Sequence, residues 1–301
     1  MNEIEIYEVG PRDGFQNIPE YIPLETKLTI IDGLVAAGIR HLQITSFVSP
    51  KAVPQMKDAV ELAQLCLARY PDMDLLALVP NLRGAQTAWE SGIRHVSTVV
   101  SLSESHNRAN INRTHVESQS DLAKILETYP DLDICLDLAT AFGCPFEGKK
   151  NGEEVALFIK PYVDLGIRTV NLCDTIGIAN PAQVRQTIAA VRQAYPQLDL
   201  HIHIHDTRNM GLVNTLAAIE SGVSNVQSTL GGLGGCPFAP GASGNLATED
   251  LVFMLQEMGY PLEVDVQKLI DLARDQARLI PGGNYSGHLF RVEDPRNEHK
   301  N

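Results

Sequence analysis

The sequence predicts an α/β protein, a closed (βα)8 TIM barrel with extra C-terminal helices, and three observations predict it. Four segments repeat one pattern of helix end, glycine and short apolar run: Ala37-Gly38-Ile39-Arg40-His41-Leu42, Ser91-Gly92-Ile93-Arg94-His95-Val96, Leu165-Gly166-Ile167-Arg168-Thr169-Val170 and Ser221-Gly222-Val223-Ser224-Asn225-Val226. Glycine just past a helix takes the left-handed cap that other residues resist. A second pattern alternates with the first, at Tyr70-Pro71-Asp72-Met73-Asp74, Tyr129-Pro130-Asp131-Leu132-Asp133 and Tyr195-Pro196-Gln197-Leu198-Asp199, where proline stops a helix and a strand follows. The length of 301 residues, 44% apolar and 20% charged, suits one barrel-sized core with some further chain. A doubly wound open sheet is the alternative, and the regular paired repeats weigh against it.

Taken in order, the strands fall at Ile4–Val9, Leu42–Thr45, Leu75–Val79, Val96–Val100, Ile134–Leu138, Val170–Leu172, Leu200–Ile204 and Val226–Thr229. Each is a short apolar run bounded by turn residues. Helical spacing fills the gaps at Leu24–Ala37, Ala59–Ala68, Ala85–Glu90, Asp121–Thr128, Glu153–Leu165, Ala182–Ala194 and Leu212–Glu220. After Thr248 come two helices without a further strand, Leu251–Met258 and Val266–Ala277. The expected organisation is one catalytic domain over 1–280 and a partly flexible tail over 281–301.

Charge and cysteine usage narrow the function. Twenty-four basic against 37 acidic residues give a net charge of −13, which argues against nucleic acid or an anionic membrane surface as partner. No apolar run approaches the roughly 20 residues of a membrane helix. The acidic start Met1-Asn2-Glu3-Ile4-Glu5 lacks the basic head of a signal peptide, and the tail carries no targeting signal. Cys66, Cys135, Cys144, Cys173 and Cys236 form neither a disulfide framework nor a zinc ribbon. The expected setting is a reduced cytoplasm.

In such a barrel the chemistry belongs at the C-terminal strand ends and the loops after them. After the first strand comes Gly10-Pro11-Arg12-Asp13-Gly14-Phe15-Gln16-Asn17, in which Arg12 and Asp13 are either a solvated pair or holders of an oxyanion and a metal. The seventh strand ends in His201-Ile202-His203-Ile204-His205-Asp206, whose three histidines share one face and suit a divalent ion. Asp206 is a further ligand or a partner that orients an imidazole. The glycine-dense loop from Gly231 to Asn245 lacks the Gly-Lys-Ser/Thr of a phosphate loop and reads as a lid. Within it Cys236 is a buried bystander or, over a metal site, a general acid or base. Asn245 can offer a carbonyl oxygen to a hard cation. Cys66, Cys135 and Cys173 read as structural. Gln43, Ser46 and Asp174 stand at the ends of two more strands and project toward the same rim, where Ser103-Glu104-Ser105-His106-Asn107 also falls.

At these residues the sequence resembles the hydroxymethylglutaryl-CoA lyase family, within the metal-dependent barrel lyases and Claisen-type synthases. The resemblance runs through Val9–Asn17, Thr45–Lys51 with Val53-Pro54-Gln55-Met56, Gly143–Gly148, Asp174-Thr175-Ile176-Gly177, His203–Thr207 and Gly231–Asp250. It implies Mg2+ or Mn2+ held by Asp13, His203, His205 and Asn245, and a retro-Claisen cleavage of a branched 3-hydroxyacyl-CoA to acetyl-CoA and a keto acid. It further implies Arg12 on the thioester enolate, Asp13 or His203 as the base, Cys236 as the acid, and Gln16, Gln43, Ser46 and Asp174 against substrate. The implied partner is an acyl-CoA thioester, with a homodimer as candidate assembly.

Three departures sit at the rim. Gln43 stands where the family often has glutamate, Asn171-Leu172-Cys173 replaces Ser-Leu-Gly, and Arg208-Asn209-Met210 replaces Tyr-Gly-Gln. They keep citramalyl-CoA or a longer-branched glutaryl-CoA open as substrate. A condensing acyltransferase of the isopropylmalate synthase type is the runner-up, disfavoured by the Gly-Gly-Cys loop and the lack of a long C-terminal region. A non-catalytic binding barrel is a third reading.

Overall fold

A computed structural model describes residues 3–235 and 244–292. Eight parallel strands close into a barrel: β1 (Glu5–Glu8), β2 (His41–Ser46), β3 (Asp74–Leu78), β4 (His95–Ser101), β5 (Asp133–Ala139), β8 (Thr169–Asp174), β9 (Asp199–Ile204) and β10 (Asn225–Ser228). β1 pairs with both β2 and β10, which completes the closure. Between β5 and β8 a two-residue-per-strand hairpin, β6 (Gly143–Cys144) and β7 (Gly148–Lys149), lies outside the barrel. The helices in chain order are α1 (Leu24–Ala36), α2 (Ala59–Arg69), α3 (Leu82–Ser91), α4 (Glu104–Ile111), α5 (His115–Thr128), α6 (Gly152–Asp164), α7 (Pro181–Ala194), α8 (Gly211–Glu220), α9 (Thr248–Glu257) and α10 (Val266–Leu279). The repeated glycines take the left-handed conformation expected of them, with φ of +97° at Gly38 and +107° at Gly166.

The β6–β7 hairpin was not expected from sequence, and two helices differ from the sequence reading. α4 was not expected, and α5 starts at His115 rather than Asp121. Both begin on caps instead of an apolar stripe. The Ser103 hydroxyl accepts from the His106 N–H at 3.1 Å, and Thr114 with Glu117 forms a reciprocal capping box.

Alternation along the strands decides what faces inward. Leu42 and Ile44, Leu136 and Leu138, Val170 and Leu172, and Ile202 and Ile204 are all buried in the hydrophobic core. Burying each contributes roughly 1.5–3 kcal/mol relative to leaving it in water. The residues between them, Gln43, Asp137, Asn171 and His203, are polar: Asn171 donates to Asp137, His203 bonds Gln227 on the adjacent strand, and Gln43 donates to Ser97 two strands over. The lumen is therefore a polar floor.

The N-terminal mouth is closed by a charged layer. His41 bridges Asp74 Oδ2 at 2.7 Å and Glu5 Oε2 at 2.9 Å, and His95 Nδ1 meets Asp74 Oδ1 at 2.9 Å. The Tyr7 ring stacks on His41 with centroids 4.4 Å apart and lies 4.9 Å from His201. His201 pairs with Asp199 at 3.1 Å. It thus belongs to this layer, away from the other two histidines of its strand.

Residues 281–292, read from sequence as the start of a tail, lie against α10. The Tyr285 hydroxyl donates to the Ile280 carbonyl at 3.0 Å, and Arg274 Nε donates to the Phe290 carbonyl at 2.8 Å. Among the described residues no helix is long and apolar enough to cross a membrane.

Candidate active site

A cleft of about 380 Å³ opens at the C-terminal end of the barrel, lined by Arg12, Asp13, Gln16, Asp137, His203 and His205 among others. A second cavity of about 550 Å³ lies at the opposite mouth beside Glu5, Arg40 and Glu263, with none of Asp13, His203 or His205 in its lining.

The first wall is built by the turn after β1. Gly10–Gly14 winds as one turn of π-helix with proline near its start. Such single turns recur at functional sites. A side chain at Gly10 would put Cβ 2.5 Å from Glu8 Oε1, so the backbone needs glycine to pass the buried carboxyl. The turn sets Arg12 beside Asp13, with Arg12 Nη1 2.6 Å from Asp13 Oδ1. Arg12 Nε donates to Gln43 Oε1, and Gln43 Nε2 donates to the Ser97 hydroxyl at 2.8 Å. Gln43 sits where the pairing of β2 with β3 slips by one residue.

Opposite stand the two histidines of β9 and its end. His203 Nδ1 donates to Gln227 Oε1 at 3.0 Å, since that oxygen can only accept, which fixes the ring and leaves Nε2 as the nitrogen not engaged by Gln227. The His203 and His205 rings are 5.1 Å apart. One potential ligand atom each from Asp13, His203 and His205 falls within a 4.8 Å cluster. Asn245 joins through Nδ2, which donates to Asp13 Oδ2 at 2.7 Å.

Two features show that these residues fit a divalent cation. Asn245 Oδ1 and His205 Nδ1 are buried without a hydrogen-bond partner in the described structure. Buried polar atoms left unpaired are costly, and a cation would satisfy such lone pairs. Protonation also suits it. Burial pushes the Asp13 carboxyl up, but the Arg12 guanidinium, the two imidazoles and the Asn245 amide outweigh burial and lower its pKa. Burial, reinforced by His203, drives His205 down to about 3, so its ring is neutral. A carboxylate, two imidazole nitrogens and an amide oxygen form a mixed N/O donor set.

The root of the glycine-dense loop is held from below. Glu8 Oε1 accepts from the N–H of Gly10 at 2.8 Å and of Leu230 at 3.0 Å, and Glu8 Oε2 accepts from Thr248 Oγ1 at 2.6 Å. Glu249 Oε2 accepts from the Gly231 N–H at 2.9 Å. Burial raises Glu8 to about 7 and Glu249 to about 8. The Asn245 carbonyl accepts from the Ser286 hydroxyl at 2.7 Å, which ties Asn245 to the C-terminal segment.

Of the residues named from sequence, Arg12, Asp13, Gln16, His203 and His205 line the cleft, and Asn245 touches Asp13. Gln16 Nε2 donates to Asp13 Oδ1 at 3.0 Å. Gln43 lies beneath Arg12 as its acceptor rather than at the rim. Ser46 is buried outside the cleft lining, with its hydroxyl unpartnered. Asp174 is turned into its own loop: its oxygens accept from the N–H groups of Ile178 and Ala179, both at 3.0 Å, and burial raises it to about 6. With both oxygens so engaged it anchors the loop after β8 instead of reaching substrate. Cys236 lies outside the described residues. His106, placed at the rim from sequence, lines the cleft, as do Cys173, set aside from sequence as structural, and Asp137 and Gln227, which the sequence reading did not assign to the site. The signal was present in the two-residue period, which puts Asp137 and Ala139, and Asn171 and Cys173, on one side.

A family model described as HMGL-like matches residues 3–275. The chain belongs to the HMGL-like family. Its relatives include a hydroxymethylglutaryl-CoA lyase of Bacillus subtilis, 40% identical over 274 residues that cover 90% of this chain and 91% of that one. The (R)-citramalyl-CoA lyase of Chloroflexus aurantiacus is 38% identical, over 90% of this chain and 89% of its own. A solved HMG-CoA lyase from Acinetobacter baumannii, in complex with coenzyme A and 3-methylmalate, superposes with a TM-score of 0.90 at 40% identity, covering 97% and 96% of the two chains. The HMGL-like barrel thus carries the Asp13, His203 and His205 cluster and Arg12 at one mouth.

Proposed function

We propose that this HMGL-like chain is a carbon–carbon lyase that cleaves 3-hydroxy-3-methylglutaryl-CoA to acetyl-CoA and acetoacetate by metal-assisted retro-Claisen chemistry. The observation that carries the reading is the convergence of Asp13, His203 and His205 on one cluster with Arg12 directly against it. Asp13, His203, His205 and Asn245 would hold the ion. Mg2+ or Mn2+ there supplies Lewis-acid stabilisation to an ionising hydroxyl.

The chain's own groups do the rest. Arg12 spends Nε on Gln43 and Nη1 on Asp13, which fixes the guanidinium and leaves Nη2 for the thioester oxygen. Charge grows on that oxygen as the C–C bond breaks, and losing one preorganised donor of this kind costs ~2.7–4 kcal/mol of barrier. Gln16, beside Asp13 on the cleft wall, is assigned to substrate contact. Gln43 acts by orienting Arg12, while Ser46 and Asp174 support the framework. Cys236, from the glycine-dense loop, is assigned as the acid that protonates the enolate carbon once the loop covers the cleft and excludes water. Asp13 and His203 serve as ligands, since their polar atoms are committed to that cluster. The cytoplasm is the proposed compartment, because Cys66, Cys135, Cys144 and Cys173 are free thiols.

The test is release of acetoacetate from hydroxymethylglutaryl-CoA by the purified protein with Mg2+ or Mn2+, with Cys236→Ala alongside. Release that the variant loses supports the assignment. Pyruvate release from citramalyl-CoA, with no acetoacetate from the first thioester, moves the substrate to that of the Chloroflexus relative and keeps the reaction class.

A further inference from the structure

Breaking the C–C bond of a tertiary alcohol needs a base for the hydroxyl proton, and the groups nearest the metal-ligating cluster are not free to serve. Asp13 accepts from Arg12 and Gln16 on one oxygen and from Asn245 on the other. Gln43 is an amide, engaged by Arg12 and Ser97. The Cys173 thiol is held protonated by burial and by the Asp137 charge. Burial lowers His106 to about 4, which makes its ring a weak base.

One carboxylate on the cleft wall remains. Asp137 is 5% exposed, accepts from Asn171 Nδ2 at 2.8 Å, and makes no ion pair among the described residues. Strand register places it beside Asn171, while Cys173, two residues further along β8, is paired with His203. Asp137 and Cys173 line the same cleft as Arg12, Asp13, His203 and His205. Asp137 is not itself a member of that cluster. A buried carboxylate with a single neutral donor has acceptor capacity to spare for a hydroxyl.

We propose that Asp137 is the catalytic base that accepts the proton of the substrate's 3-hydroxyl, an inference that rests on the lyase reading above. The O–H bond breaks toward the Asp137 carboxylate, and its electron pair becomes the second C–O bond of the product ketone. The C2–C3 pair moves into the thioester enolate, whose carbon then takes a proton from the general acid. Asp137 returns its proton to solvent as the ketone leaves. Asn171 is a positioning residue that aims the carboxylate.

Asp137→Asn, which keeps the shape and an acceptor for Asn171, tests this in the full-length metal-loaded protein. Two reactions are followed: cleavage of hydroxymethylglutaryl-CoA, and deuterium uptake into the methyl group of acetyl-CoA with acetoacetate present. The second needs the enolate chemistry without the hydroxyl proton. The expected result is a kcat for cleavage lower by ~10²–10⁴-fold, with KM and deuterium uptake within about threefold of wild type. Asp137→Ala is expected to lose cleavage likewise and to regain part of it with added sodium formate. Cleavage by Asp137→Asn within about threefold of wild type overturns the proposal and leaves the lyase reading intact. Parallel loss of both reactions in both variants, without a response to formate, assigns Asp137 to the framework and also overturns it. A folded, metal-loaded wild type that cleaves no 3-hydroxyacyl-CoA overturns the lyase reading and the proposal together.

Discussion

Replacing Glu249 by glutamine removes a carboxyl with no solvent exposure under the root of the glycine-dense loop. Burial, helped by the neighbouring Asp250 and Glu8 carboxyls, raises its pKa to about 8 from an ordinary 4.5, against the backbone donor at Gly231. The folded state therefore holds this proton more tightly than the unfolded chain. Its contribution to stability is complete below pH 4.5, is lost progressively as the unfolded chain ionises, and levels off above about 8. At ~1.4 kcal/mol per tenfold, the full loss is about 5 kcal/mol, of which roughly 3 kcal/mol falls between pH 5 and 8. Glu8, raised to about 7, adds a slope of the same sign that glutamine at 249 leaves in place. The glutamine amide oxygen can still accept from Gly231, so the loop root keeps its bond. Urea unfolding of wild type and Glu249→Gln at several pH values from 5 to 8 measures the difference. The variant's stability is expected to fall less steeply and to exceed wild type most at pH 8. Parallel pH profiles would refute the reasoning, since the carboxyl would then have an ordinary pKa in the fold.

Two further outcomes follow from the site. Gln43→Ala removes the acceptor of Arg12 Nε and leaves that donor and the Ser97 hydroxyl unpaired; kcat is expected to drop by about tenfold with KM nearly unchanged, at a stability cost of ~1–3 kcal/mol. An equal change in KM alone would show that Gln43 does not orient Arg12. Gly232→Ala places a side chain at φ +65°, against Ser286 Oγ and 2.8 Å from the Gly287 nitrogen. Destabilisation by more than ~2 kcal/mol and weaker divalent-ion binding are expected, because the left-handed conformation and the clash both displace the Asn245 backbone. Unfolding and calorimetric titration matching wild type would rule out that tight packing.

The barrel was legible because its punctuation is local. A left-handed glycine after each of four helices and a proline after three others mark strand starts within a residue or so, as at Leu42 against the observed start at His41. α4 was not legible because Glu104–Ile111 carries no apolar stripe and depends on the Ser103 cap. The histidines of β9 were legible as a face, but the face spans both ends of the lumen. Alternation alone could not separate His201, paired with Asp199 at the N-terminal mouth, from His203 and His205 at the other. Asp174 looked like a rim residue for its position at the end of β8, while its fate was set by a tight turn that offers two N–H groups at once. Asp137 went unread for the opposite reason. It sits between Leu136 and Leu138, whose burial defines the strand and conceals that the intervening residue faces a polar lumen.

The most direct test of the account is to strip the protein with a chelator, titrate Mn2+ back, and follow bound ion by electron paramagnetic resonance together with hydroxymethylglutaryl-CoA cleavage. The account predicts one ion per chain, cleavage that rises in proportion to occupancy, and loss of both in His205→Ala. Cleavage that persists in the stripped protein, or full ion binding in His205→Ala, would contradict it.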